Sequence, residues 1–288
     1  MNPSEGAIPA IQLEVRVDRT LVIPGRVWCA DRPKALIAIT HGTGEHSGRY
    51  AALASDLVAR RYTVAALDLP GNGEAPGARG DITSWVAMRD QVVPATFTAT
   101  RGLPGQPPDL QTILLGHSMG GVLALDYALA HPRTLLACIV SAPALKTPPV
   151  SKLKLGLAKA AKVVAPGTAF DNGVNEKDIS RDPEVIEARR TDPLVHHKIT
   201  PRLYFQFDEA RQRVRTEARR LAVPTLVLQG GADHVVDPTG SLELNVAAPH
   251  GMTRLLSYRD AYHELFNDLD RDRVIKDVGD WLDTVTVV

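Results

Sequence analysis

The stretch TILLGHSMGGVLALDYALAHP, residues 112–132, decides how the rest of the chain is read. A short apolar run, Ile113 to Leu115, stops at Gly116-His117-Ser118-Met119-Gly120-Gly121, and a helical pattern starts at once. A serine flanked in G-x-S-x-G spacing, where a buried strand turns into a helix, is what a sharp elbow needs to hold a hydroxyl clear of the backbone. The same glycines would also serve an ordinary tight turn. The flanks decide between the two: a strand ends before the motif and a helix begins inside it. Ser118 is therefore the candidate nucleophile.

Outward from this unit, strand-like runs alternate with helical patterns. IQLEVRV (11–17) and TLVIPGRVWC (20–29) read as an antiparallel opening pair, and ALIAIT (35–40) as a strand covered on both faces. A helix is expected over 49–61, then the strand YTVAALD (62–68). Ser84 is a good N-cap for SWVAMRDQVVPATF, in which Pro94 is expected to kink or end the helix. LLACIVSA (135–142), VPTLVLQG (223–230) and MTRLLSY (252–258) supply further strands, with helices near 240–248 and 271–284. Alternation of this kind predicts an α/β fold, a mostly parallel sheet wrapped by helices. It breaks between 143 and 218, where the sequence reads as helices and loops. The expected organisation is a core of residues 1–142 and 219–288 with a helical cap, 143–218, inserted over one end of the sheet.

Composition narrows the function. Hydrophobic content of 44% and charged content of 23% are ordinary for a globular chain of 288 residues. Lys plus Arg and Asp plus Glu number 33 each, so no global field points to nucleic acid. No apolar run reaches the ~20 residues that span a bilayer, and the N-terminus lacks a basic flank followed by an apolar stretch. Cys29 and Cys138 lie in strand-like runs and read as reduced core residues, with no metal-ligand cluster and no cofactor motif in view. A cytoplasmic location is the expectation.

A serine needs a base to take its proton, usually a histidine oriented by a carboxylate, and on this fold the order is Ser, Asp, His. Asp233 sits in the loop straight after the strand TLVLQG. Asp237, four residues on, reads as a helix N-cap before Pro238. Of the histidines that follow, His234 abuts the acid, and His250 lies in a turn before a strand, at the wrong edge of the sheet. His263, in RDAYHELF after the strand MTRLLSY, is at the right edge. Ser118, Asp233 and His263 are the expected triad. The oxyanion hole should take the N–H of Met119 and a second from the loop HGTGEHSGRY (41–50), with Thr43 as donor.

HGTGEHSGRY, LLGHSMGG, LQGGADHVVD and YHELFND together resemble the monoacylglycerol lipase and lysophospholipase branch of the α/β-hydrolases, a serine aminopeptidase S33-like family. RTDPLV (190–195) looks like a cap segment of those lipases. The resemblance implies a serine carboxylic-ester hydrolase acting on monoacylglycerol-like or other simple acyl esters, with a helical cap and no cofactor. It leaves open a lysophospholipase, an acyltransferase with the same triad, and a catalytically silent binding module. In the lipases resembled, the glutamate and arginine matching Glu45 and Arg49 help hold glycerol, together with a second histidine that is Phe266 here. The substrate-binding expectation therefore rests on Glu45, Arg49 and Phe266, the last favouring apolar leaving groups. A second departure is Asn72, where relatives often carry histidine.

The stretch SKLKLGLAKAAKVVAP (151–166) contributes one more expectation. At 3.6 residues per turn Leu153, Leu157, Ala160 and Val164 share one face, and Lys152, Lys154, Lys159 and Lys162 the other, along with Leu155. This predicts either a helix packed on the core by its leucine face or a lid that meets an anionic lipid surface, a membrane or micelle, or covers an acyl tunnel.

Overall fold

A computed structural model describes residues 8–148 and 151–286, without the side chains of 152–154. Among the described residues there are ten strands: β1 Ile11–Arg16, β2 Val22–Trp28, β3 Ala35–Thr40, β4 Tyr62–Leu67, β5 Thr112–His117, β6 Ala137–Ser141, β7 Phe170–Asp171, β8 Lys198–Ile199, β9 Thr225–Gly230 and β10 Thr253–Tyr258. Eight of them form one sheet in the order β1-β2-β4-β3-β5-β6-β9-β10. The opening β1–β2 and β2–β4 pairs are antiparallel, and every later neighbour is parallel. Every residue of β3, β4, β5, β6 and β9 is buried, which is why these strands are continuous apolar runs instead of alternating ones. Helices Ala51–Ala59 and Arg271–Val285 close one face through Leu53, Leu57, Val274, Val278 and Trp281. The other face is closed by Met88, Val92, Val122 and Leu125, from residues 85–98 and helix Met119–Ala130.

Parallel strands leave their carboxyl ends on one edge, where functional loops gather. The loops after β3, β5, β9 and β10 carry Thr43, Ser118, Asp233 and His263, so one edge collects residues spread over most of the chain.

Pro94 does not end its helix. The segment runs from Trp85–Ala87 through a π turn, Met88–Val92, into Val93–Thr98, where the proline occupies the first turn. A proline lacks an N–H and crowds the carbonyl four residues back. Widening one turn removes the clash and lets the helix continue.

Between β6 and β9 the chain leaves the sheet to form helices Lys152–Val164, Pro183–Thr191 and Pro201–Glu217 and the small antiparallel pair β7–β8. The longest of these helices is tied to helix Met119–Ala130 by Arg213, which donates to buried Asp126 at 2.8 and 2.6 Å, while Trp85 Nε1 donates to the same carboxylate at 2.9 Å.

The lysine-rich helix departs from the expected orientation. Leu157 is 61% exposed and Val164 81%, and Val163 beside it is 82% exposed. Leu155, expected on the lysine side, lines an internal cavity with Ala158. What lies beneath the helix is that cavity and not a packed core, so the residues at 155 and 158 turn toward it, Leu157 reaches its edge, and Val163 and Val164 are left at the surface. Leu153, Lys152 and Lys154 lie outside the described side chains, and Lys159 and Lys162 are exposed.

Candidate active site

Ser118 has φ 53° and ψ −118°, a left-handed conformation that a non-glycine residue holds only under constraint. The constraint is visible. Ser118 N–H donates to the Ser141 carbonyl at 3.0 Å, and the Ser118 carbonyl accepts from Gly121, Val122 and Ala144. A side chain on Gly120 would be driven into the Thr40 carbonyl oxygen, so helix and β3 approach as closely as they do only because that residue is glycine.

His263 Nδ1 lies 2.8 Å from Asp233 Oδ2. The other carboxylate oxygen, Oδ1, accepts from Val235 N–H at 2.9 Å and Val236 N–H at 3.0 Å. Burial alone would raise the Asp233 carboxyl; the attraction of His263 and these hydrogen bonds outweigh it and hold the group below its ordinary value. An ionised Asp233 accepts from Nδ1–H, so Nε2 of His263 is left as the basic nitrogen. Ser118, His263, Thr43 and Met119 all line one cavity of about 820 Å³.

The loop after β3 is fixed from below and from the side. Leu69 N–H donates to His41 Nε2 at 2.8 Å, which leaves His41 Nδ1 to donate to the Gly42 carbonyl at 2.8 Å. Gly42 N–H is taken by Glu45 Oε1, and Gly44 N–H by Asn72 Oδ1 at 3.0 Å. Thr43, between them, faces the cavity. Asn72, the departure from the histidine of relatives, thus has a place in the architecture: it holds this loop. A Cβ on Gly42 would come 3.3 Å from the Ser118 Cβ and 2.8 Å from Glu45 Oε1, so only glycine lets the loop approach the serine. Met119 opens the helix, and the first N–H groups of a helix have no acceptor within it.

Glu45 lines the cavity, while Arg49 lies behind it, between Glu45 Oε2 at 3.1 Å and Glu264, to which it donates twice at 2.7 and 2.8 Å. Tyr50 donates to Glu45 at 2.8 Å. Burial opposes ionisation of Glu45, but His117, Arg49, His41 and Arg189 more than reverse it, and the carboxyl is held far below its usual range. Burial pushes His117 down to about 4 and lowers His41, so at neutral pH the two guanidiniums carry this effect. Phe266 does not meet the substrate-side expectation. It is buried with Tyr50 and Ile275 in the core layer beneath the site and is absent from the cavity wall, because the short helix Leu265–Asn267 turns its ring into the apolar layer.

Three groups in the site carry no local sequence signal. His117 packs against His263 with ring centroids 4.7 Å apart and planes tilted by 54°, and its Nδ1 donates to the Ser141 carbonyl at 3.1 Å. Glu264 follows the catalytic candidate in sequence, and Arg189 comes from helix Pro183–Thr191; both line the cavity. Only the proximity of Glu264 to His263 could have singled it out. Among the described residues, no group of three or more His, Cys, Asp or Glu is placed to hold a metal ion, and no helix is long and apolar enough to cross a membrane.

The chain matches known proteins over most of its length. A family model for serine aminopeptidase, S33, matches residues 31–270. A monoacylglycerol lipase of Mycolicibacterium smegmatis is 33% identical over 261 residues, covering 89% of this chain and 91% of that protein. Phospholipase YtpA of Bacillus subtilis is 37% identical over 258 residues, covering 86% and 95%. The crystal structure of a Paleococcus ferrophilus monoacylglycerol lipase superposes with a TM-score of 0.82 at 30% identity, covering 91% of this chain and 99% of that one. The chain belongs to the serine aminopeptidase S33 family, as a monoacylglycerol-lipase-like α/β-hydrolase of the esterase and lipase class.

Proposed function

We propose that the protein hydrolyses monoacylglycerol-like and other simple acyl esters through an acyl-enzyme on Ser118. The observation that carries this reading is the Asp233–His263 hydrogen bond, 2.8 Å long, in the cavity that also holds the strained serine. Ser118 Oγ attacks the ester carbonyl and its proton passes to His263 Nε2. Asp233 fixes the tautomer and stabilises the imidazolium. The N–H groups of Thr43 and Met119 take the charge that develops on the carbonyl oxygen. His263 then gives its proton to the alkoxide, and the alcohol leaves. Water repeats the sequence on the acyl-serine, losing a proton to His263 and releasing the carboxylic acid and Ser118.

Residues 143–218 act as a cap over this edge in the proposal. Leu155, Ala158 and Phe207 give the cavity an apolar stretch suited to an acyl chain. Val163 and Val164, with Lys159 and Lys162 among the exposed residues of the same helix, form the outer surface that would rest on an anionic membrane or micelle. The relatives named as lipases and a phospholipase support a lipid ester as substrate.

The test is Ser118→Ala. Esterase activity on a p-nitrophenyl ester should fall by ~10⁴-fold or more, with labelling by a fluorophosphonate abolished and the melting temperature retained. A folded variant keeping a tenth of the activity refutes the assignment. Adding alcohols to the wild type separates hydrolysis from acyl transfer, since a transferase would divert most of the acyl group to the alcohol.

A further inference from the structure

Two loops of the site meet at Arg49. The residue is carried by the short helix Ser47–Tyr50, its side chain is 10% exposed, and it is absent from the cavity wall. It does not face the space a substrate would fill, yet its guanidinium reaches both sides of the site. Nη1 donates to Glu45 Oε2 at 3.1 Å, and Nη1 and Nη2 donate to the two oxygens of Glu264 at 2.7 and 2.8 Å. The second contact joins residues 215 apart in the chain.

Each carboxylate has a further partner in the site. Glu45 Oε1 accepts from Gly42 N–H, one residue before Thr43, and from the Tyr50 hydroxyl at 2.8 Å. The Gly42 carbonyl belongs to the same peptide as the Thr43 N–H and accepts from His41 Nδ1 at 2.8 Å. The direction of the Thr43 N–H is therefore set by a peptide that Glu45 and His41 hold from either side. Glu264 follows His263 in the chain, and its backbone N–H donates to the Ile179 carbonyl at 2.7 Å. A guanidinium is a planar, rigid fork, so a carboxylate held by two parallel bonds is fixed in direction as well as in distance.

Stability does not explain the arrangement. The cluster sets Arg49 and Arg189 against Glu45 and Glu264 in the interior. Burying such charges is costly, and apolar side chains of the same volume would join two loops about as firmly. Neither loop depends on Arg49 for its place in the fold. The loop after β3 is also held by Asn72, through Gly44 N–H, and by His41, through Leu69 N–H. The loop after β10 is also held by Asp268, which accepts from Tyr262 N–H at 2.6 Å. What an apolar contact would not supply is direction.

We propose that Arg49 is a positioning residue that keeps the loop bearing Thr43 in register with His263, so that oxyanion donor and base meet the same carbonyl group together. The inference rests on the ester-hydrolase reading above. It places Arg49 behind the chemistry and not among the groups that touch the leaving alcohol.

The experiment measures kcat and KM for glycerol monobutyrate and ethyl butyrate, both soluble, with active sites counted by fluorophosphonate. It also measures inhibition by butylboronic acid, which forms a tetrahedral adduct on a nucleophilic serine. In R49M, kcat per labelled site should fall about 10–100-fold on both esters alike, the range for a donor displaced by about an ångström. KM should change by less than about threefold, and the boronic acid should bind more weakly in proportion to kcat/KM. R49K keeps the charge without the fork and should recover part of kcat. R49M/E264Q removes the carboxylate charge left without its partner and supplies the same comparison if R49M does not fold. Wild-type kcat per labelled site in a folded variant makes Arg49 structural and overturns the proposal. A loss confined to the glycerol ester makes it a ligand of the alcohol and overturns it too. A wild type that hydrolyses neither ester refutes the ester-hydrolase reading itself, which is a different failure.

Discussion

Asp233→Asn changes one atom and tests the orientation of the whole site. An asparagine there must choose which way its amide points. At the Oδ1 position the structure presents two fixed donors, Val235 N–H at 2.9 Å and Val236 N–H at 3.0 Å. At the Oδ2 position it presents His263 Nδ1 at 2.8 Å and Gln229 Nε2 at 3.2 Å. Turning the NH₂ toward the two backbone donors would break two hydrogen bonds to groups that cannot move, at about 1–3 kcal/mol each. Turning it the other way costs one weak bond to Gln229 and asks the imidazole to change tautomer. The second orientation wins. His263 then accepts at Nδ1 and carries its proton on Nε2, where it cannot take one from Ser118. The expected loss in kcat is ~10³–10⁴-fold, the order seen when a triad base is held in the wrong tautomer, while KM for a p-nitrophenyl ester moves little. Thermal melting should stay within a few degrees, since shape and burial are unchanged. The assay is steady-state hydrolysis of p-nitrophenyl butyrate at pH 7.5, with active sites counted by fluorophosphonate. A folded Asp233→Asn within tenfold of wild type would show that Asp233 does not set the tautomer.

The other expectations are shorter. Replacing Val163 and Val164 by Glu should lower activity on anionic vesicles by one to two orders of magnitude, since each exposed valine could bury about 1.5 kcal/mol of apolar surface there, and should leave a soluble ester nearly untouched; an unchanged vesicle rate at low salt would return this helix to a solvated role. His117 sits at about 4 against an ordinary 6.5, so between those values the unfolded chain binds a proton that the folded one refuses. Stability is therefore complete above 6.5 and declines as pH falls toward 4, by at most about 3 kcal/mol from this group. His117→Asn should flatten urea-derived stability over that window, and an unaltered slope would contradict it. Gly120→Ala should destabilise by several kcal/mol or prevent folding, because its methyl meets the Thr40 carbonyl; a melting point within two degrees of wild type would contradict the close approach.

What the sequence made legible followed from local rules. The buried strands read correctly because each is a short apolar run, and the edge they share follows from their parallel order. Ser118, Asp233 and His263 stand out in the sequence as candidates because each closely follows a strand at that edge. The misreadings have a common cause. Leu157 and Val164 looked like a packing face because periodicity reports a helix's two sides but not that a cavity, and no packed core, lies beneath it. Phe266 was assigned to the site by its distance from His263 along the chain, yet the short helix Leu265–Asn267 rotates it into the core. Arg189 is one arginine in an ordinary helical pattern, and only the tertiary fold brings it to Glu264, 75 residues on.

The bonds between cap and core also limit how the cavity can open. His46 Nε2 lies 2.8 Å from Asp192 Oδ2, and His196 N–H donates to the Gly44 carbonyl at 3.0 Å. His46 and Gly44 belong to the loop that carries Thr43. Thr200 N–H donates to the Gly80 carbonyl at 3.0 Å, and its hydroxyl and Arg202 Nε donate to Asp81 at 2.7 and 3.1 Å. A cap that swung away as a rigid body would break these bonds and unseat the proposed oxyanion donor, Thr43, as substrate entered. The segment 192–202 is better regarded as part of the catalytic frame than as a lid. Helix Lys152–Val164 is differently placed: its outer face is exposed, and its inner residues Leu155 and Ala158 meet the cavity. Among the described residues its ties to helix Pro201–Glu217 include the long Lys162–Glu209 ion pair at 3.7 Å, between two exposed side chains and worth under about 1 kcal/mol, and Lys162 over the Phe205 ring at 4.8 Å. Under the proposed function, access by an acyl chain would fall to this helix, and its exposed Val163 and Val164 would put the moving element where a lipid surface meets it.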